Sequence, residues 1–240
     1  MLSLSETKVK SPRIEKLRSS MSFFGSHCVD CVGKAGGLAL FWKAGIELEV
    51  VFENKYVMAS LIYSDPPDTT WLLLTIHGPP YLAKKRKFWK LMGELVSSFS
   101  GHWLLLGDLN SINETSEKKG GSSRGDVSSR SFKEFVRSVG AVDLGFNGPR
   151  FTWSNRRVGL ANIRERLDRG IYNVDWQGLF PRAGIRHLTA PNSDHNPILL
   201  DTIMENPQGS KPFRFEAMWT KEESSSEVVK KAWLISVEGS

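Results

Sequence analysis

Apolar and polar residues fall into short runs of two distinct periods along this chain. Leu2 and Leu4 alternate with Ser3 and Ser5, the period of a brief strand that runs straight into Glu6-Thr7-Lys8. A helix is expected next: Ser11 can cap it, Pro12 suits its first turn, Ile14, Leu17 and Met21 line one face, and Gly25 ends it. Strands are expected at 36–42, 46–52, 56–63 and 71–77, parted by turn residues such as Asn54-Lys55 and Pro66-Pro67-Asp68. Phe88, Leu91, Met92, Leu95, Val96 and Phe99 then form one stripe of helical spacing. Trp103-Leu104-Leu105-Leu106 reads as a buried strand ending at once in Gly107-Asp108-Leu109-Asn110. A loop over 117–129 precedes a second amphipathic helix carrying Phe132, Phe135, Val136 and Val139. Short strands near 151–153, 166–172, 185–188 and 197–202 complete the pattern, which decays into a polar tail beyond Glu205. About ten strands with interspersed helices point to an α/β or α+β sandwich in a single domain.

Composition agrees and adds one bias. Of 240 residues, 40% are apolar and 24% charged, the make-up of a globular chain with room for a sizeable core. Lys and Arg number 32 against 26 Asp and Glu, and the net charge of +6 favours a polyanionic partner without naming one. Apolar runs fall far short of the roughly 18–20 residues of a membrane span, so no membrane partner is expected. No basic-then-apolar leader opens the sequence, and secretion is not expected. Cys28 and Cys31 lack the second ligand pair of a zinc site and are read as small reduced side chains, with no disulfide-linked partner. The chain is read as a monomer.

Four features set acidic or amide groups at or beside strand ends: Glu6, the pair Asp108 and Asn110, Asp168 in Arg166-Leu167-Asp168-Arg169, and Ser193-Asp194-His195-Asn196-Pro197. Strand-like alternation points Asp108 and Asn110 the same way, into one pocket. Asp194 beside His195 offers a hard oxygen ligand and an imidazole at one backbone position, and a distant Asp can hold that imidazole in one tautomer and keep it cationic. Each feature alone also has an ordinary structural reading, as a cap, a turn or a surface ion pair.

Taken in order they carry a resemblance. Leu4-Ser5-Glu6-Thr7-Lys8, Gly36-Gly37-Leu38-Ala39-Leu40-Phe41-Trp42, Leu106-Gly107-Asp108-Leu109-Asn110, Phe151-Thr152-Trp153-Ser154-Asn155, Glu165-Arg166-Leu167-Asp168-Arg169 and Ser193-Asp194-His195-Asn196-Pro197-Ile198 together resemble the endonuclease/exonuclease/phosphatase superfamily. Within it the likeness is to the apurinic-type endonuclease domain of plant LINE-type (non-LTR) retrotransposons. It covers residues 1–203; residues 204–240, with Pro212-Phe213-Arg214-Phe215-Glu216-Ala217-Met218-Trp219, look like a linker toward a reverse transcriptase.

That resemblance implies a four-layer sandwich of two mixed β-sheets flanked by helices, and a metal-dependent phosphodiesterase that nicks DNA. It implies Mg²⁺, with Mn²⁺ an alternative, held by Glu6 with Asp194 a second acidic group near it. Asp108 would deprotonate the attacking water, Asn110 would donate to the phosphorane, and His195, oriented by Asp168, would hydrogen-bond a non-bridging oxygen. His77 stands where relatives place a Tyr that reaches the phosphate. Relatives also carry an Asn-bearing strand before the Glu, whereas Met1 stands five residues before Glu6, so a fold lacking its first strand is expected.

Charge placement supports a DNA partner. Between residues 150 and 170, the six arginines Arg150, Arg156, Arg157, Arg164, Arg166 and Arg169 face only Glu165 and Asp168, and Trp153 lies among them as a stacking surface. The run Lys84-Lys85-Arg86-Lys87 is read as a phosphate contact, a nuclear-import patch or a solvated helix start, and a nuclear location is expected. A superfamily phosphoesterase acting on another phosphoester, and a catalytically inert retrotransposon remnant, stay open as other readings.

Overall fold

In a computed structural model of the chain, residues 1–33, 35–121, 126–205 and 223–233 are described. In chain order the elements are β1 (Leu2–Ser5), α1 (Ser11–Ser20), β2 (Gly25–Val29), β3 (Leu38–Trp42), β4 (Leu48–Asn54), β5 (Val57–Ile62), β6 (Trp71–His77), α2 (Leu82–Ser97) and β7 (His102–Asp108). There follow β8 (Lys118–Lys119), α3 (Asp126–Ser138), β9 (Val142–Asp143), β10 (Trp153–Ser154), β11 (Arg164–Glu165), β12 (Asp168–Tyr172), α4 (Val174–Leu179), β13 (Gly184–His187) and β14 (Ile198–Asp201). These lie in one compact unit, Met1–Gly209; a second, Ser210–Ser240, contains α5 (Glu223–Trp233). The linker motif at 212–219 lies outside the described residues.

Alternation along the strands sets the layers. In the six-stranded sheet, ordered β4-β5-β6-β7-β12-β9, only β6 and β7 run parallel. Leu72, Leu74 and Ile76 of β6 and Trp103 and Leu105 of β7 face α2 and α3, packing on Phe88, Trp89, Met92, Phe132 and Phe135. Trp71, Leu73 and Leu104 face the other way, with Trp176, Phe180, Ile185 and the partly buried Ile198 and Leu200. On that second face Leu38 and Leu40 of β3 meet Met58, while Ala39 and Phe41 turn outward to Ile14 of α1. The order is therefore helices α2 and α3, the six-stranded sheet, a second layer of strands, then α1. This is the four-layer sandwich expected from the sequence.

The second layer is in pieces. It holds a three-stranded sheet, β1-β3-β2, and a separate pair, β13-β14; among the described residues β1 pairs with β3 alone and β14 with β13 alone. Several elements escape the sequence patterning, three of them longer than two residues within this unit. β2 starts at Gly25, the expected end of the first helix, α4 fills a connection, and α3 begins inside the expected loop.

A buried ion network braces β12 from the helix side. Arg169, fully buried, donates to Glu117 Oε2 at 2.8 Å and Asp143 Oδ2 at 3.1 Å, and its guanidinium lies over Phe132. Arg166, 3% exposed, donates to the same two carboxylates at 3.0 and 2.7 Å. Burial alone would raise both acids, but Arg169 beside Glu117 and Arg166 beside Asp143 hold them below their ordinary values of 4.5 and 3.8. Removing one partner strands a charge in the interior. Arg169→Met is expected to lower unfolding free energy by about 3–5 kcal/mol in urea titrations. Because both folded pKa values are depressed, the carboxylates' contribution is whole above about pH 5 and is lost as pH falls through the acid range. Urea midpoints measured from pH 7 to pH 3 should fall for the wild type and fall less for Arg169→Met.

Candidate active site

Strand register builds the site. Parallel pairing of β6 with β7 sets His77 beside Asp108, and antiparallel pairing of β7 with β12 sets Asp108 beside Asp168. Three chemistry-bearing residues thus stand in a row across adjacent strands, at the end of the sheet. Two glycines permit the approach. A Cβ on Gly107, at φ +135°, would meet Ile76 O at 2.2 Å, and one on Gly78 would meet Leu109 O at 2.7 Å.

The chain after β7 closes on itself. Asn110, at φ +47°, donates its backbone N–H to Asp108 Oδ1 at 2.8 Å. Its side-chain amide donates to Asp108 Oδ2 and Gly78 O, both at 2.9 Å. From the other side, Thr152, 1% exposed, accepts from the N–H groups of Leu167 and Asp168 at 2.9 and 3.0 Å and fixes the start of β12. His195 comes from the loop before β14, tied down by a β-bridge to Trp153.

The structure brings Asp108, Asp168 and His195 within 4.8 Å of one another. His195 Nδ1 lies 2.9 Å from Asp168 Oδ2, and its Nε2 lies 3.8 Å from Asp108 Oδ2. Burial by itself would lower the imidazole pKa, but the hydrogen bond and charge of Asp168 raise it to about 9, so the ring is cationic at neutral pH. Burial, and then the charge of Asp168, push Asp108 up to about 7, against the lowering influence of His195. His77 Nε2 stands 3.5 Å from Asp108 Oδ2 and 3.9 Å from Glu6 Oε1; burial holds its pKa below the ordinary 6.5.

The remaining expected residues separate into two groups. Glu6, in a left-handed backbone conformation just past β1, presents an exposed carboxylate toward His77 and pairs with Lys8 at 3.5 Å. Asp194 is exposed, accepts from the Trp153 indole at 3.3 Å, and is not part of the three-residue cluster. Arg150, Arg156, Arg157 and Arg164 are exposed. Arg166 and Arg169 are not: expected among the DNA contacts, they are buried in the ion network with their forks engaged, and no surface ligand meets them there. Arg156 and Arg157 sit on a loop braced by Asn155 and Asn162 side chains, whose tip exposes Val158 and Leu160.

Lys85 was missed. Of the basic run opening α2 it alone is buried, 5% exposed, and its ammonium donates to the carbonyl of Asn110. The sequence held one sign of this: Lys85 precedes Phe88, Met92 and Val96 at helical spacing and so falls on the buried stripe.

No protein-family model and no curated protein matches the chain. Solved structures do. The chain is similar to the AP endonuclease of Leishmania major (TM-score 0.60, 16% identity, 82% of this chain and 76% of that one). It is similar to the 3′-5′ exonuclease NExo of Neisseria meningitidis (0.61, 16%, 85% and 89%) and to the endonuclease domain of TRAS1, a telomere-specific non-LTR retrotransposon (0.58, 13%, 85% and 100%). The chain shares its fold with these nucleases, as its motifs led one to expect.

The His195–Asp168 contact makes its own prediction. Followed by NMR of the ring nitrogens, His195 should keep its proton to about pH 9 and, in Asp168→Asn, should titrate near or below 6.5.

Proposed function

We propose that this chain is a divalent-metal-dependent phosphodiesterase that nicks DNA and leaves a 3′-hydroxyl to prime retrotransposon integration. The observation that supports it most is the row His77, Asp108 and Asp168 with His195 above it, carried on a fold shared with nucleases. One neighbour, the 3′ phosphatase NExo of Neisseria, is described bound to a product DNA hairpin.

On this reading each side chain has a task set by its surroundings. Asp108, with a pKa near 7, is poised to take a proton from water at neutral pH. Asn110 orients that carboxylate through two hydrogen bonds. His195 carries its proton on Nε2 toward the pocket and donates to a non-bridging phosphate oxygen as negative charge grows there, while Asp168 holds the ring by Nδ1. Water attacks phosphorus, its proton passes to Asp108, the P–O3′ bond breaks, and the departing O3′ takes a proton from solvent to become the 3′-hydroxyl. Glu6 fits a hard cation: it is a solvated carboxylate facing the pocket. Such an ion supplies Lewis-acid stabilisation of the phosphoryl oxygens, with Mg²⁺ the expected ion. Arg156 and Arg157 on the braced loop, with Arg150 and Arg164, contact the DNA backbone, and Trp153 faces the same region. Nuclear action is part of the proposal.

Purified protein is expected to convert supercoiled plasmid to open circles in Mg²⁺, and Asp108→Asn and His195→Ala should each slow this at least about 100-fold without loss of fold by circular dichroism. Nicking that survives both changes overturns the assignment. Hydrolysis of lipid or inositol phosphoesters without nicking favours the other substrate class. Arg156→Gln with Arg157→Gln should weaken DNA binding and lower the slope of log affinity against log salt by about 2.

A further inference from the structure

His77 is an imidazole with nothing to do in the protein as it stands. It ends β6, its side chain is 14% exposed, and among the described residues neither ring nitrogen makes a hydrogen bond. Yet Nε2 is aimed between two carboxylates, 3.9 Å from Glu6 Oε1 and 3.5 Å from Asp108 Oδ2. Both separations exceed a hydrogen bond. The separation from Glu6 also falls within the range that two ligands of one ion span. Two ligand atoms each about 2.1 Å from one ion stand roughly 3.0 Å apart at a right angle and roughly 4.2 Å apart in line.

We infer that His77 Nε2 and Glu6 together hold the divalent ion, and that this mixed pair prefers Mn²⁺ to Mg²⁺. Carboxylate and water suit Mg²⁺, whereas imidazole suits first-row transition ions, so one nitrogen donor shifts the choice without closing the site to substrate. Asp108 stays available for the proton. His195 is taken at Nδ1 by Asp168, 2.9 Å away, which leaves His77 as the imidazole beside Glu6. Lys8 is the contact that must yield. It pairs with Glu6 at 3.5 Å, but both side chains are more than half exposed, and such surface pairs are weak. The inference rests on the reading of this pocket as a metal-assisted phosphodiesterase site, though it concerns binding and is measured without substrate.

The test uses the full chain and Mn²⁺ alone. Electron spin echo modulation of the bound ion should show coupling to a directly bonded ¹⁴N in the wild type, absent in His77→Gln and in His77→Tyr, which keeps a ring but no nitrogen. In calorimetric titrations the wild type should bind Mn²⁺ at least about tenfold more tightly than Mg²⁺. His77→Gln should lose about tenfold in Mn²⁺ affinity and less than about threefold in Mg²⁺ affinity. No nitrogen coupling in the wild type overturns the inference even if a variant fails to fold. So does coupling that persists in His77→Gln, or equal losses for the two ions. Failed nicking with intact nitrogen coupling would instead overturn the catalytic reading and leave the ligand assignment standing.

Discussion

The antiparallel register that sets Asp168 directly beside Asp108 is an unfavourable contact that the rest of the site exists to accommodate. Two carboxylates, 9% and 4% exposed, cannot both ionise cheaply: burial first, and then the charge of Asp168, lift Asp108 to a pKa near 7. His195 offsets the repulsion by standing between them, hydrogen-bonded to one and 3.8 Å from the other. Asn110 relieves it further, donating twice to Asp108. A slip of one residue between β7 and β12 would turn Asp168 to the other face of the sheet, so the site depends on register as much as on residue identity.

That register is held from behind. Successive residues of β12 point to opposite faces, so Asp168 toward the site places Arg169 toward the helices. There its guanidinium, clamped by Glu117 and Asp143, also donates to the carbonyls of Ser111 and Arg166. The network thus ties β12 to the segment just after Asn110, while Lys85 holds the Asn110 carbonyl from α2. Strand end, turn and loop are fixed in three directions before any ligand arrives, which is the condition for a preorganised site.

The same network explains what the sequence could and could not reveal. Strands such as β3, β6 and β7 and helix α2 were legible because their side chains form unbroken apolar runs, as in Trp71-Leu72-Leu73-Leu74, or a stripe with a period near 3.6, as in Phe88 to Phe99. β2 was not, because Gly25-Ser26-His27-Cys28-Val29 is half-buried throughout and shows no alternation. Asp108, Asp168 and His195, which the structure brings together, were singled out through ordered motifs, since local spacing alone places no two of them together. The arginines show the limit of charge counting. Arg166 and Arg169 supplied a third of the basic residues in the 150–170 segment, yet their charge is answered by Glu117 and Asp143, which lie far off in sequence. Only the fold could bring those acids near.

With those two arginines withdrawn, the electrostatics of the proposed reaction change. The pocket keeps Glu6, Asp168 and a partly ionised Asp108 against the imidazolium of His195 and the ammonium of Lys85, and a phosphodiester adds a further negative charge. Lys85 is spent on a carbonyl, and Lys8 stands 3.5 Å from Glu6 on the exposed side. On the proposed reading the exposed arginines meet the DNA backbone. A phosphate entering this site therefore meets three cations already answered by three carboxylates, which leaves a deficit of positive charge where more negative charge is to develop. On the proposed reading that deficit is the physical reason for a divalent ion at Glu6, and it is why an unused imidazole facing that carboxylate bears on which ion is taken.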